Sequence, residues 1–231
     1  MIEELLPESV VAVETYGDDG TGRAALYPGE EALIARAVDK RRREFTAVRT
    51  CARRAMEKLG VAPQAVLTGE RGAPRWPQGL TGSMTHCEGF GAAALVRATE
   101  LASLGIDAEP HLELPEGVLD AIALPTERER LGRLAGHAPS VHWDRLLFSA
   151  KESVYKAWFP LTGQWLDFSE ADIDLVPDAP AGDAAGRTGR LRATLLVPGP
   201  RLGDGTRVGV FEGRWAVRQG LLATAVTVPH P

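Results

Sequence analysis

The chain predicts a mixed α/β (α+β) fold built as a pseudo-twofold pair of similar subdomains, each a small sheet packed on a long helix. Three observations point there. Two stretches carry apolar residues at helical period, one through Phe45, Val48, Ala52, Met56 and Leu59, the other over 143–158. Each follows a short run of strand character and leads into further such runs, giving the order strand, long helix, strands, then strand-like link, long helix, strands. Finally, 231 residues with 44% hydrophobic content suffice for one large or two small units with a real core. No stretch repeats residue for residue, so the twofold is a topological inference. The halves divide as 1–105 and 106–231 within one compact unit.

Taken in order, 10–13 is an apolar run short enough for a buried strand, broken over 17–22. From Pro28 the pattern turns helical, with Glu30 and Glu31 in the first turn and Leu33, Ile34, Ala37 and Val38 on one face. Lys40, Arg41, Arg42 and Arg43 open the first long helix, which ends at Gly60 and carries Arg49 and Arg53 one turn apart. Residues 61–77 hold Gly69, Gly72, Pro74 and Pro77 and read as loop around a short strand at 65–67. In the glycine-flanked segment 79–87, Ser83, Thr85 and His86 suit phosphate oxygens. Strands are expected at 91–98 and 101–108, joined by a tight turn at 97–100. Short helical patterns follow at 119–123 and 126–134, the latter with Thr126 as N-cap. The second long helix is expected to stop at Pro160, with strands at 171–176, 191–197, 207–212, 214–218 and 221–228 and a flexible excursion at 178–189.

Composition narrows the function. A net charge of −5 and a pI near 5.6 argue against general nucleic-acid binding. Cys51 and Cys87 are too few for a disulfide scaffold and lack zinc spacing, which fits a reducing cytoplasm. Adjacent His86 and Cys87 point to opposite faces of an extended chain, so Cys87 reads as a buried small residue and not a nucleophile. Glu3 and Glu4 stand among the first residues and no long apolar run occurs, so neither a signal peptide nor a membrane span is expected.

Chemistry concentrates in two places. On the second long helix, Glu152 and Lys156 stand four apart and share a face, while Val154, Ala157 and Trp158 can pack inward. Alone, such a pair is a surface ion pair worth under about 1 kcal/mol. The strand 104–109 adds a second cluster, because Asp107 and Glu109 point the same way from it and Ile106 and Ala108 the other. Asp107, Glu109 and Glu152 are hard oxygen ligands suited to magnesium, which takes a few carboxylates alongside water and substrate phosphates. With the basic helix and the glycine segment as phosphate partners, the sum implies a polyphosphorylated, nucleotide-like substrate. The reaction would be phosphoryl-type transfer, one carboxylate taking a proton from the attacking hydroxyl.

These residues carry a family resemblance. Leu104-Gly105-Ile106-Asp107-Ala108-Glu109, followed by Phe148-Ser149-Ala150-Lys151-Glu152-Ser153-Val154-Tyr155-Lys156, resembles the two signature motifs of the Sfp-type 4'-phosphopantetheinyl transferases. Gly82-Ser83-Met84-Thr85-His86-Cys87 resembles their third. Arg41-Arg42-Arg43-Glu44-Phe45, Val48-Arg49-Thr50-Cys51-Ala52-Arg53 and Gly72-Ala73-Pro74-Arg75-Trp76-Pro77 look like the branch of the enterobactin-pathway and actinobacterial enzymes.

The resemblance implies transfer of 4'-phosphopantetheine from coenzyme A to a serine of apo acyl- or peptidyl-carrier proteins, releasing adenosine 3',5'-bisphosphate. It makes Asp107, Glu109 and Glu152 magnesium (or manganese) ligands, Glu152 the general base and Lys156 the holder of the transferred phosphate. It assigns Arg41, Arg49 and His86 to coenzyme A phosphates and Thr68, Gly69, Glu70 and Arg71 to the adenine side, with Thr85, Asp107 and Lys151 also on the coenzyme A side. Coenzyme A would lie in the cleft between the halves of a monomer, its phosphate and adenine side on 1–105 and the metal and catalytic helix on 106–231. An acidic carrier would dock over the cleft, with 158–165 a candidate surface. Two rival readings use the same residues: a metal-dependent hydrolase of coenzyme A or a similar nucleotide, and a binding module contacting nucleic acid through 40–53.

Overall fold

The first long helix forms because its apolar positions recur every three to four residues, and a strand–helix–hairpin unit grows around it. The structure, a computed structural model, describes residues 1–17, 19–179 and 187–231. Strand β1 (Val11–Tyr16) leads through a short helix α1 (Pro28–Leu33) into α2 (Asp39–Lys58). The small ribbon β2 (Leu67–Thr68) and β3 (Pro74–Arg75) precedes the hairpin β4 (Leu80–Cys87) and β5 (Phe90–Arg97). β5 returns to pair antiparallel with β1, giving the sheet order β1-β5-β4. The second unit repeats this plan. β6 (Leu101–Pro110) leads through α3 (Val118–Ile122) and α4 (Pro125–His137) to α5 (Trp143–Thr162). After β7 (Ala171–Pro177) and β8 (Arg187–Leu195), the hairpin β9 (Val210–Arg218) and β10 (Leu221–Pro229) returns to pair with β6, in the order β6-β10-β9-β8-β7.

The two hairpins match closely. Each turns through a glycine at positive φ, Gly89 at 73° and Gly220 at 76°, where a side chain would be strained. Seven residues earlier, Gly82 and Gly213 lie so close to the carbonyls of Ala94 and Ala225 that a Cβ would approach them to 2.5 and 2.1 Å. α2 covers the outer face of the first sheet through Cys51, Ala52, Ala55 and Met56 against Val13, Ala93 and Leu95. α5 covers the second sheet in the same way, its Leu146, Leu147, Ala150 and Val154 packing with Trp215, Leu222 and Val226. Gly105 lets it approach: a Cβ there would sit 2.0 Å from Ser153 O. Between the units lies a shared face of small side chains, with Ala12, Ala92 and Ala94 on one side and Ala108, Ala223 and Ala225 on the other. β5 is therefore buried on both faces, which explains its unbroken apolar sequence.

Several expectations are corrected. α1 stops at Leu33, so 33–38 forms no helical face. Glu30 is drawn into the core, where it accepts from Val66 N and Arg53, and the chain turns before α2. The glycine-flanked segment 79–87 forms strand β4 from Leu80 onward, in keeping with the extended reading of His86 and Cys87. α4 starts at Pro125, with Glu127 rather than Thr126 satisfying the helix start by accepting from Leu124 N at 2.7 Å. Pro160 lies inside α5, which ends at Gly163 (φ 65°); so near the terminus, only two helical residues follow the lost amide. The two strands expected at 207–212 and 214–218 are one, β9. Of the excursion at 178–189, residues 180–186 lie outside the described residues, while 187–189 belong to β8.

Candidate active site

Where the first unit meets the second, β4 runs alongside β6 without a ladder of backbone hydrogen bonds. Ser83 and Thr85, two apart and so on one face of β4, accept from Ile106 N at 3.1 Å and Ala108 N at 3.0 Å. Thr85 also donates to Asp107 Oδ1 at 3.2 Å. Both hydroxyls are buried and committed to this seam. Thr85 thus orients Asp107, and Ser83 is likewise bonded to a backbone amide.

Beside the seam a cavity of about 610 Å³ opens between α2 and α5. It draws Arg41 and Arg49 from α2, Thr68, Glu70 and Arg71 from the loop at β2, His86 from β4, and Glu152 and Lys156 from α5. Eight of the predicted residues thus meet in one lining, as the resemblance expects. Arg49 is 7% exposed, lies over the Phe45 ring and reaches only Thr68 Oγ1, at 3.4 Å, leaving its Nε buried without a partner. Burial pulls its pKa down to about 10, so it remains a cation at neutral pH, desolvated and short of an anion. Arg41 Nη1 stands 2.5 Å from His86 Nε2. A guanidinium only donates, so that nitrogen is the acceptor and the ring proton sits on Nδ1, 3.6 Å from Glu44. Burial and then Arg41 lower the His86 pKa, which keeps the ring neutral.

At the other end, Lys156 Nζ bonds Asp107 Oδ1 at 2.7 Å and Ile106 O at 3.1 Å. Asp107 is 5% exposed and its Oδ2 has no partner. Among the described residues Glu152 makes neither hydrogen bond nor ion pair; burial raises its pKa, with Lys156 opposing the shift and the Asp107 charge adding to it. Glu109 is raised by burial and the Asp107 charge and is turned aside to Arg145 Nη1 at 3.1 Å.

Lys151 is placed elsewhere. It is 3% exposed, and its ammonium is filled by Phe168 O at 2.6 Å, Ala171 O at 2.8 Å and Glu127 Oε1 at 2.9 Å. One residue along a helix rotates a side chain by about 100°, so Lys151 cannot share the Glu152 face; it anchors α5 to α4 and β7 instead of meeting a cofactor. Gly69 also lies outside the lining, with its N–H bonded to Ala73 O at 2.7 Å. In 158–165, Trp158 is core, whereas Trp165 is 54% exposed and touches both Arg71 and Tyr155. The sequence reading passed over Tyr155, whose hydroxyl is buried without a partner at the cavity edge, and over Arg145 and Glu127. Only Tyr155 had a signal, standing three residues after Glu152.

The arrangement is a cleft with basic side chains at one end and carboxylates at the other. Comparison with known proteins agrees. A family model described as the 4'-phosphopantetheinyl transferase N-terminal domain matches residues 29–96, and one described as the 4'-phosphopantetheinyl transferase superfamily matches 103–188. The chain is 53% identical over 232 residues to the 4'-phosphopantetheinyl transferase Svp of Streptomyces mobaraensis, covering 100% of this chain and 90% of the relative. It is 47% identical to Npt of Nocardia iowensis, covering 98% and 99%, and 46% identical to PptT of Mycobacterium tuberculosis, covering 99% and 98%; both bear the same enzyme name. The two matched segments take in α2 with the β4–β5 hairpin and then β6 with α5, the elements that build the cavity, so the chain belongs to the 4'-phosphopantetheinyl transferase superfamily and is an enzyme of it.

Proposed function

We propose that this enzyme transfers the 4'-phosphopantetheine arm of coenzyme A to a serine of apo acyl- or peptidyl-carrier proteins in a magnesium-dependent reaction. One observation carries the reading: a single cavity holds an anion-deficient guanidinium, Arg49, together with an unpaired carboxylate, Glu152, and an ammonium, Lys156. Arg41, Arg49 and His86 bind the coenzyme A phosphates, and Thr68, Glu70 and Arg71 line the adenine side. The serine Oγ attacks the phosphorus next to the pantetheine arm, its proton passes to Glu152, and the P–O bond to the bridging oxygen breaks. Adenosine 3',5'-bisphosphate leaves with that oxygen, while Lys156 steadies the transferred phosphate.

Among the described residues, no three His, Cys, Asp or Glu side chains stand together as a ready-made metal cage. The donors nevertheless suit magnesium: Asp107 Oδ2 is a buried carboxylate oxygen without a partner and Glu152 is unpaired, a pair of hard ligands of the kind that magnesium supplements with substrate phosphates. When bound, magnesium, or manganese in its place, would neutralise charge on the pyrophosphate. Asp107 and Glu152 would hold it, with Glu109 as the third carboxylate nearby.

The reading extends to a monomer, since both helices lining the cavity belong to one chain, with 1–105 as the coenzyme A side, 106–231 as the catalytic side, and the cytoplasm as its place of action. No described helix is long and apolar enough to cross a membrane. The test is intact mass of an apo carrier protein after incubation with enzyme, coenzyme A and magnesium. A gain of one phosphopantetheine, absent with chelator and with a serine-to-alanine carrier, is expected. Consumption of coenzyme A with no carrier present would instead favour hydrolysis.

A further inference from the structure

Four hydroxyls stand in the contact between α5 and the second sheet: Ser149 and Ser153 on the helix, Ser103 on β6 and Thr224 on β10, each 0% exposed. No step of the proposed reaction uses them. Thr224 Oγ1 meets three groups of α5, Ser149 O at 2.9 Å, Ser149 Oγ at 3.0 Å and Ser153 Oγ at 2.9 Å. A hydroxyl has one proton and two lone pairs, so with its proton given to the Ser149 carbonyl Thr224 can accept from both serines. On the neighbouring strand, Ser103 Oγ donates to Ala157 O at 2.7 Å. Residues 103, 105 and 107 alternate onto this face of β6. Gly105 therefore lies against Ser153 O, between the Ser103 bond and the Lys156–Asp107 pair, and Thr224 stands opposite Asp107 in the ladder.

Ser149 and Ser153 are one turn apart, and Glu152 and Lys156 each follow one of them by three residues, forming the adjoining stripe of the helix. The two carbonyls held from the sheet, Ser149 O and Ala157 O, lie on either side of that stripe along the axis. Burial of apolar side chains is non-directional and tolerates a small slide or roll of a helix, whereas a hydrogen bond weakens steeply once it is bent or stretched. We propose that Thr224 and Ser103 are positioning residues, which pin α5 at the height and rotation that bring Glu152 to the cavity. This rests on the transferase reading above, with Glu152 as the base.

The test is the rate of transfer from coenzyme A to an apo carrier protein, read by intact mass over a range of coenzyme A concentrations. Thr224→Val keeps the shape of the side chain and removes the hydroxyl; Ser149 O keeps its bond within the helix, and both serines can turn to helix carbonyls. It should lower kcat about tenfold, for which a displacement of under about 1 Å suffices, while KM for coenzyme A stays within about twofold. Thr224→Ser should recover kcat to within about twofold of the parent. Added to Glu152→Gln, Thr224→Val should cost less than about twofold more, because the base through which it acts is gone; a merely structural role would lower both backgrounds alike. Ser103→Ala removes the other pin and should lose about threefold in kcat with the same dependence on Glu152, which decides the question if Thr224→Val does not fold. Parental kcat in these variants, or a loss repeated in full on Glu152→Gln, overturns the proposal. If the parent modifies no carrier, or Glu152→Gln turns over like the parent, the reading of the site itself fails and takes the proposal with it.

Discussion

The two ends of the cavity are built from equivalent parts and treat charge in opposite ways. α2 and α5 are both 20-residue helices lying on sheets that share the order of their first three strands, and each sends basic residues inward. At the α2 end, Arg49 has no ion-pair partner among the described residues, and Arg41 spends a donor on a neutral histidine and reaches Glu44 only loosely, at 3.9 Å. At the α5 end every inward cation already has a carboxylate: Lys156 with Asp107, Arg145 with Glu109, Lys151 with Glu127. The first end is short of negative charge, as the proposed binding of a polyanion there requires. The second is balanced except for Glu152 and one oxygen of Asp107, the groups that the proposed chemistry would need free.

Breaking the second end at Glu152 should have the largest effect. Glu152→Gln is expected to lower transfer by about 10²–10⁴-fold with coenzyme A binding by calorimetry preserved, and parental turnover would remove the base role. The two lysines of the same motif should then separate. Lys151→Met leaves Glu127 buried and without its cation, costing about 3–5 kcal/mol in denaturant unfolding, whereas Lys156→Met, at a lysine open enough to solvent for water to reach Asp107, should cost less stability and lower kcat. A kcat defect in Lys151→Met without loss of stability would contradict the anchoring role. At the first end, Arg49→Met should weaken coenzyme A binding about 10–100-fold, since a charged hydrogen bond is worth roughly 1.5–3 kcal/mol. The same variant should make the unliganded protein more stable by about 1 kcal/mol, because an uncompensated buried charge is gone. A large loss of melting temperature would instead make Arg49 structural. Gly105→Ala pushes a methyl group into α5 and should cost about 1–3 kcal/mol, read by chemical denaturation. The smallest effect concerns the thiols. Burial pushes Cys51 up to about 11 and Cys87 up to about 12, so at pH 8 both stay protonated and iodoacetamide should label them slowly by mass spectrometry.

What the sequence disclosed was local. The long helices follow from apolar spacing, and β6 from the alternation of Asp107 and Glu109 with Ile106 and Ala108. The gathering of Arg41, Arg49, His86, Glu152 and Lys156 in one cavity came through motif resemblance, because nothing in local pattern joins 41 to 156. The errors share a cause: they concern polar groups whose partners lie far along the chain. Lys151 beside Glu152 looked like a ligand until Glu127, 24 residues earlier, claimed it. Ser83 and Thr85 looked like phosphate donors until the amides of β6 claimed them. Glu109 looked like a free carboxylate, yet its partner Arg145 lies 36 residues away.

The alanine-rich face shared by the two sheets has a consequence for how the chain is made. Emerging from the ribosome, β1, α2 and the β4–β5 hairpin can assemble early, yet the inner side of that sheet stays uncovered until β6 and then β10 arrive. The first sheet is therefore sheltered only once β10 (Leu221–Pro229) has been made. A nascent chain stalled anywhere before residue 221 should therefore remain open to chaperones and proteases.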